Sequence, residues 1–182
     1  MCRRGFELRV PAVLVCALLI SFTYSAGQSQ QARIGLQSNV AMPGETAKIL
    51  LELETGGKKI SLIEGEVTFP SFLTFVGLEA GMDVEAGSLK SKADLPPEKS
   101  ADGSQKLDVT IQTTEGKFFP DGIVAAFTFQ MASDLKKEGQ GPLQNHLSLA
   151  GPGGESIPAE ITSGSMTIVL AAPVATCFFY MH

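Results

Sequence analysis

Tryptophan is missing from the 182-residue sequence, and only two tyrosines, two histidines and three cysteines occur. Each shortage closes off some chemistry. Stacking on sugar rings is work for exposed aromatic faces; Tyr24 and Tyr180 lie near the two ends of the chain, which leaves only phenylalanines between them. His146 and His182 are the sole imidazole bases. Neither lies near a Gly-x-Ser-x-Gly elbow or within zinc-ligand spacing, and His146, beside Asn145, reads as a solvated residue at a strand edge. Cys2 and Cys16 fall in an N-terminal leader, so Cys177 is alone in the remainder. A lone thiol forms no internal disulfide, and the core is expected to be stable without one. It also lacks an upstream basic motif of the kind a cysteine nucleophile needs. An enzyme is not expected. Long stretches of helical periodicity are absent too.

What is present points to an exported chain of short strands. Arg3, Arg4 and Arg9 precede or border an apolar run from Val10 to Phe22, and Thr23-Tyr24-Ser25-Ala26-Gly27 supplies small residues for cleavage. Residues 1–27 therefore read as a signal peptide. The run is short for a membrane span, which takes ~20 residues; a retained anchor is the alternative. Arg3-Arg4-Gly5-Phe6 fits a loose twin-arginine pattern beside the general secretory route, and bulky Val15 makes Val13-Leu14-Val15-Cys16 a poor lipoprotein site. The expected location is secreted, periplasmic or cell-surface. The formal charge is −5, and the leader's Arg3, Arg4, Arg9 and Glu7 carry a net +2, which leaves −7 on the mature chain. That disfavours nucleic acid and anionic membrane as partners. Frequent Gly and Pro suit short strands joined by many turns. The organisation expected is a polar lead-in over 28–32, one β-domain over 33–170 and an apolar tail over 171–182.

The organising stretch is Ile60 to Gly81, where two strand-like runs meet at Pro70-Ser71. Ile63, Gly65, Val67 and Phe69 alternate with Glu64, Glu66 and Thr68, giving one buried face and one wet, acidic face. Pro70 donates no ladder hydrogen bond and ends the first run. Leu73, Phe75, Val76 and Leu78 begin the second, closed by Gly81. Elsewhere, Ile34 and Leu36 mark a first short strand, and Pro43-Gly44 a type II turn. Ile49, Leu51 and Leu53 face inward from Ala47 to Glu54; Leu107, Val109 and Ile111 do so opposite Asp108, Thr110 and Gln112. From Ile123 to Met131, Ala125, Phe127, Phe129 and Met131 share one face. Leu147 and Leu149 mark a short strand, and Met166, Ile168 and Leu170 the last one. Gly87 to Gly103, rich in Ser, Lys, Pro and Asp, reads as a long mobile surface loop or part of a binding edge.

The strand ending at Phe69-Pro70, its apolar successor and Gly81 resemble the signature of cohesin domains. So do the Pro-Gly turn before Thr46, the small-apolar run after Gly122 and the closing GSMTIVL. The resemblance runs from about Ile34 to Leu170. It departs in one place: an aspartate expected between Phe69 and Pro70 is absent, so the turn should be one residue shorter. The resemblance implies an all-β jelly-roll sandwich of about nine strands in a single-domain bacterial exported protein. It also implies a non-catalytic module that docks a dockerin-type protein on one sheet face, with calcium held by the partner's two EF-hand-like loops rather than by this chain. Cohesins assemble polysaccharide-degrading enzymes in this way. By strand correspondence, the expected contacts are Glu64, Glu66 and Thr68 on one strand, with Asp108 and Thr110 on another.

Other constellations carry less. Glu52 with Glu54, and Glu64 with Glu66, point the same way roughly 6 to 7 Å apart along a strand, against about 5 to 5.5 Å in retaining glycosidases; no pocket or apolar wall accompanies them. Asp83, Glu85 and Asp121 are calcium candidates that form no EF-hand loop, so no metal site is assigned. Phe118 and Phe119 are the candidate sugar contact, with polysaccharide as the alternative partner, although adjacent phenylalanines before Pro-Asp-Gly more often anchor a turn. The tail is open between packing on the sandwich, a processing or attachment signal, and a Cys177-linked homodimer in an envelope-assembly role.

Overall fold

The structure is a computed structural model, and it describes residues 31–171. The leader, Cys177 and the tail beyond residue 171 lie outside the described residues.

Among the described residues there are thirteen strands and no helix. Nine strands have five residues or more: β1 (Ala32–Leu36), β3 (Thr46–Glu54), β4 (Leu62–Phe69), β5 (Leu73–Ala80), β6 (Leu89–Ala93), β8 (Gln105–Thr113), β9 (Gly122–Met131), β10 (Gly139–Ala150) and β13 (Gly164–Ile168). The shorter ones are β2 (Asn39–Ala41), β7 (Glu98–Lys99), β11 (Ser156–Ile157) and β12 (Ala159–Thr162). They form two sheets. One has the order β12-β1-β3-β9-β5; the other runs β2-β13-β10-β4-β8-β6, with β11 on β10 and β7 on β8. Successive strands cross from one sheet to the other almost throughout, and the expected all-β sandwich is what forms.

The alternation in the sequence decides which side chains meet between the sheets. Ile49, Leu51 and Leu53 of β3 are buried, as are Ile63 and Val67 of β4 and Leu107, Val109 and Ile111 of β8. Phe69 and Phe129 pack with ring centroids 4.9 Å apart, and Phe75 adds an edge contact to Phe129 at 5.8 Å. The break at Pro70 closes tightly, with the Leu73 N–H donating to the Pro70 carbonyl at 3.0 Å. β4 and β5 lie in different sheets, so this turn carries the chain across the core. A bulge between Phe75 and Gly77 leaves Val76 59% exposed.

Two expectations change. Gly87 to Gly103 is not one long mobile loop: β6 and β7 lie within it and pair antiparallel with β8. β6 is an edge strand carrying Lys90 and Lys92; charged edges resist pairing with other chains, and the same lysines give the segment a loop-like composition. β9 is buried on both faces, since Val124, Ala126 and Thr128 are covered as well. Lys48 of β3 stands opposite Thr128, and Glu79 of β5 opposite Ala126. Their 2.8 Å ion pair therefore crosses β9 and roofs its small outer side chains.

Candidate functional site

β10, β4, β8 and β6 lie side by side, and their outward residues form rows across the sheet. His146, Glu66 and Asp108 make one row. Ser148, Glu64, Thr110 and Lys92 make the next, and Gln144, Thr68 and Lys106 a third. All five sequence-derived contact residues are thus brought onto one face. Glu64, Asp108 and Thr110 are exposed there. Thr68 points the same way but is only 8% exposed, with its hydroxyl donating to Glu66 Oε1 at 3.1 Å.

The face is not uniformly acidic. Lys106 Nζ pairs with the Glu66 carboxylate at 3.2 Å, with the two side chains 42% and 30% exposed, and Lys92 pairs with Asp94 at 2.6 Å. Glu64 and Asp108 remain as negative groups near the centre, bordered by lysines toward β6. Gly65, between the two glutamates, has a φ of +139°. A Cβ there would come within 2.4 Å of the His146 carbonyl oxygen. Glycine is what lets β4 and β10 approach in this register.

At one end of the face the surface sinks into a pocket of about 360 Å³. It is bounded by the β4–β5 turn at Pro70 and Ser71, by the β7–β8 turn from Ser100 to Ser104, and by β10 at Pro142 and Gln144. Glu66, Thr68 and Lys106 belong to it as well. The β7–β8 turn is held by Gly103 N–H to Ser100 O at 3.0 Å and by Ser100 N–H to Ser104 O at 2.9 Å. The Ser104 hydroxyl and N–H both donate to Asp102 Oδ1, at 2.7 and 2.9 Å, which holds the Asp102 carboxyl below the usual aspartate range. Neither Ser100 nor Asp102 emerged as a site residue from the sequence, although Asp-Gly between two strand-forming runs is a hairpin signal.

The remaining candidates are dispersed. Phe119 is in the core at 4% exposure, its N–H donating to the Ile60 carbonyl, while Phe118 is 39% exposed with Lys59 Nζ 5.4 Å from its ring centre. The two rings therefore make no common sugar platform, because the Phe-Pro-Asp-Gly turn buries the second one. Asp83 accepts from the Ile123 N–H, Glu85 pairs with Lys117, and Asp121 accepts from the Thr55 N–H. No group of three or more His, Cys, Asp or Glu side chains suited to a metal occurs among the described residues. Glu52 and Glu54 lie on the other sheet, beside Gln37 and Arg33 respectively. No helix among the described residues is long and apolar enough to cross a membrane.

No protein-family model matches the sequence, and no curated protein matches it significantly. Solved structures do. A non-cellulosomal cohesin from the archaeon Archaeoglobus fulgidus superposes with a TM-score of 0.59 at 15% identity, covering 76% of this chain and 91% of its own. The seventh ScaB type I cohesin from Pseudobacteroides cellulosolvens gives 0.59 at 19% identity, over 82% and 99% of the two chains. A type I cohesin–dockerin complex from Clostridium thermocellum gives 0.59 at 16%, over 76% and 99%. The fold of residues 31–171 is that of a cohesin domain.

Proposed function

We propose that this chain is a non-catalytic, exported docking module that holds a dockerin-type protein through the outer face of β10, β4, β8 and β6. The observation that carries the reading is the set of rows on that face, with Glu64, Glu66, Asp108 and Thr110 in register across hydrogen-bonded strands. Strands lie about 4.8 Å apart, so four of them span about 14 Å. A helix with its side chains is about 10–12 Å wide, and EF-hand-like loops come flanked by helices; one such helix fits the face. Calcium in this reading belongs to the partner. Cohesin–dockerin complexes among the similar structures support it. In this reading a role near polysaccharide degradation belongs to the partner's cargo.

The test is capture on the immobilised protein from the source organism's exported fraction, with and without a calcium chelator. A protein with paired calcium loops, released by chelation, is the expected result. Charge reversal of Glu64 and Glu66 to lysine should then weaken its binding with little change in melting temperature, because exposed substitutions on a strand face cost little stability. Capture of this chain alone, released by reductant, would instead favour a Cys177-linked assembly.

A further inference from the structure

Granting the docking reading, we propose that the pocket at the end of the face is its anchor point and takes an arginine side chain of the partner. Binding energy at interfaces concentrates in a few side chains seated in desolvated pockets, and arginine is prominent among them. Three features of the pocket select for it. First, the ionised groups in it are Glu66, Asp102 and Lys106; two carboxylates against one ammonium leave a net negative charge for a cationic guest. Second, acceptors remain available after the pocket's own donors, Lys106 and Ser104, have bonded Glu66 and Asp102. Asp102 spends Oδ1 on Ser104 and keeps Oδ2 free, and the Ser100 hydroxyl oxygen is buried with no hydrogen-bond partner. An unsatisfied buried polar atom is costly, and turning the Ser100 side chain toward an incoming N–H would relieve it. Third, the walls hold the acceptors still, since Asp102 and Ser100 belong to a turn closed by two backbone hydrogen bonds and by two that Ser104 donates to the Asp102 carboxylate.

Arginine suits this set better than lysine. Its guanidinium presents five N–H donors in a flat fork and sheds water more readily than an ammonium, so one group can meet a carboxylate oxygen and a hydroxyl together. Pro70 and Pro142 offer apolar sides on which its aliphatic stem can lie. The Glu66–Lys106 pair stays in place beneath and positions the Glu66 carboxylate.

The pocket is tested without any partner by titrating the full chain with N-acetyl-arginine methylamide and following backbone amide resonances. Shifts confined to Ser100–Ser104, Lys106 and Gln144 are expected. They should vanish in Asp102→Asn, which keeps the Ser104 hydrogen bonds but removes the charge. The uncharged citrulline analogue should be silent. No shift, equal shifts with citrulline, or shifts elsewhere on the molecule would overturn the anchor. With a captured partner in hand, Asp102→Asn and Ser100→Ala should each weaken binding, the former by about tenfold or more, while the cooperative thermal transition is kept. A partner held equally by wild type and both variants sinks the anchor and leaves docking standing. Absence of any partner while the arginine probe still binds sinks docking and leaves the pocket.

Discussion

Single residues in β4 and β10 carry more of this structure than their composition suggests. At Gly65, both the positive φ and the approach of the His146 carbonyl exclude a side chain. Gly65→Ala should destabilise the fold by about 1–3 kcal/mol, the range for strained backbone, read as a lower melting temperature. Asn145 is buried at 4%, and its amide donates to the Ile34 and Thr162 carbonyls at 3.3 Å each while its oxygen accepts from Leu147 N–H. It ties β10 to β1 and β12 across the core. Asn145→Leu strands those carbonyls and should cost about 1–3 kcal/mol. Alternation placed Glu64, Glu66 and Asp108 on the outer face correctly, because one buried face fixes the register of a strand. It gave no warning of Asn145: an inward polar residue is satisfied by two carbonyls on other strands, one of them more than a hundred positions away in sequence. Nor does it give depth. Thr68 has the right direction, yet it is covered by the pocket's walls.

Elements were legible where a strand has one wet face and obscure elsewhere. β3 and β8 alternate in burial and β4 alternates up to Val67, and their bounds fall within a residue or two of the expected ones. β10 runs twelve residues, much longer than Leu147 and Leu149 suggested. Its first third, Gly139-Gln140-Gly141-Pro142, carries Gly141 at a position where a Cβ would strike Pro70 and Phe72, so close packing there removed the apolar signal. β6 and β7 were hidden by their edge lysines. The turns also hold carboxyls that contribute to acid sensitivity. Glu85 is lowered by Lys117, Asp102 by Ser104 and Asp121 by the Thr55 N–H. Carboxyls depressed by folding stabilise the native state above their unfolded values, about pH 4, and that contribution disappears as pH falls through the lower folded values. Asp121→Asn keeps an acceptor for Thr55 and removes one titrating group. Its melting temperature should fall less steeply than wild type between about pH 4 and pH 2, and an identical slope would remove Asp121 from the account.

At the scale of the molecule, the two ends of the described chain act together. β1 pairs in parallel with β12 in one sheet, and β2 pairs in parallel with β13 in the other. Each end therefore crosses the sandwich beside the other. Gly164, at the start of β13, lies where a Cβ would meet the Leu36 and Gln37 carbonyl oxygens at 2.7 and 2.6 Å. Beside it, the Ser165 N–H donates to the Ser38 hydroxyl at 3.0 Å. β13 also contributes Met166 and Ile168 to the shared core. A chain cut after Thr162 therefore exposes the β10 edge and opens two buried positions at once. Loss of a large buried side chain alone costs about 2–5 kcal/mol, a large share of a domain's total of about 5–15 kcal/mol. Such a chain should lose its cooperative thermal transition, whereas one spanning residues 31–171 should keep it. Sharp melting of the shorter chain would mean that the terminal seam is an accessory and that the core closes without it.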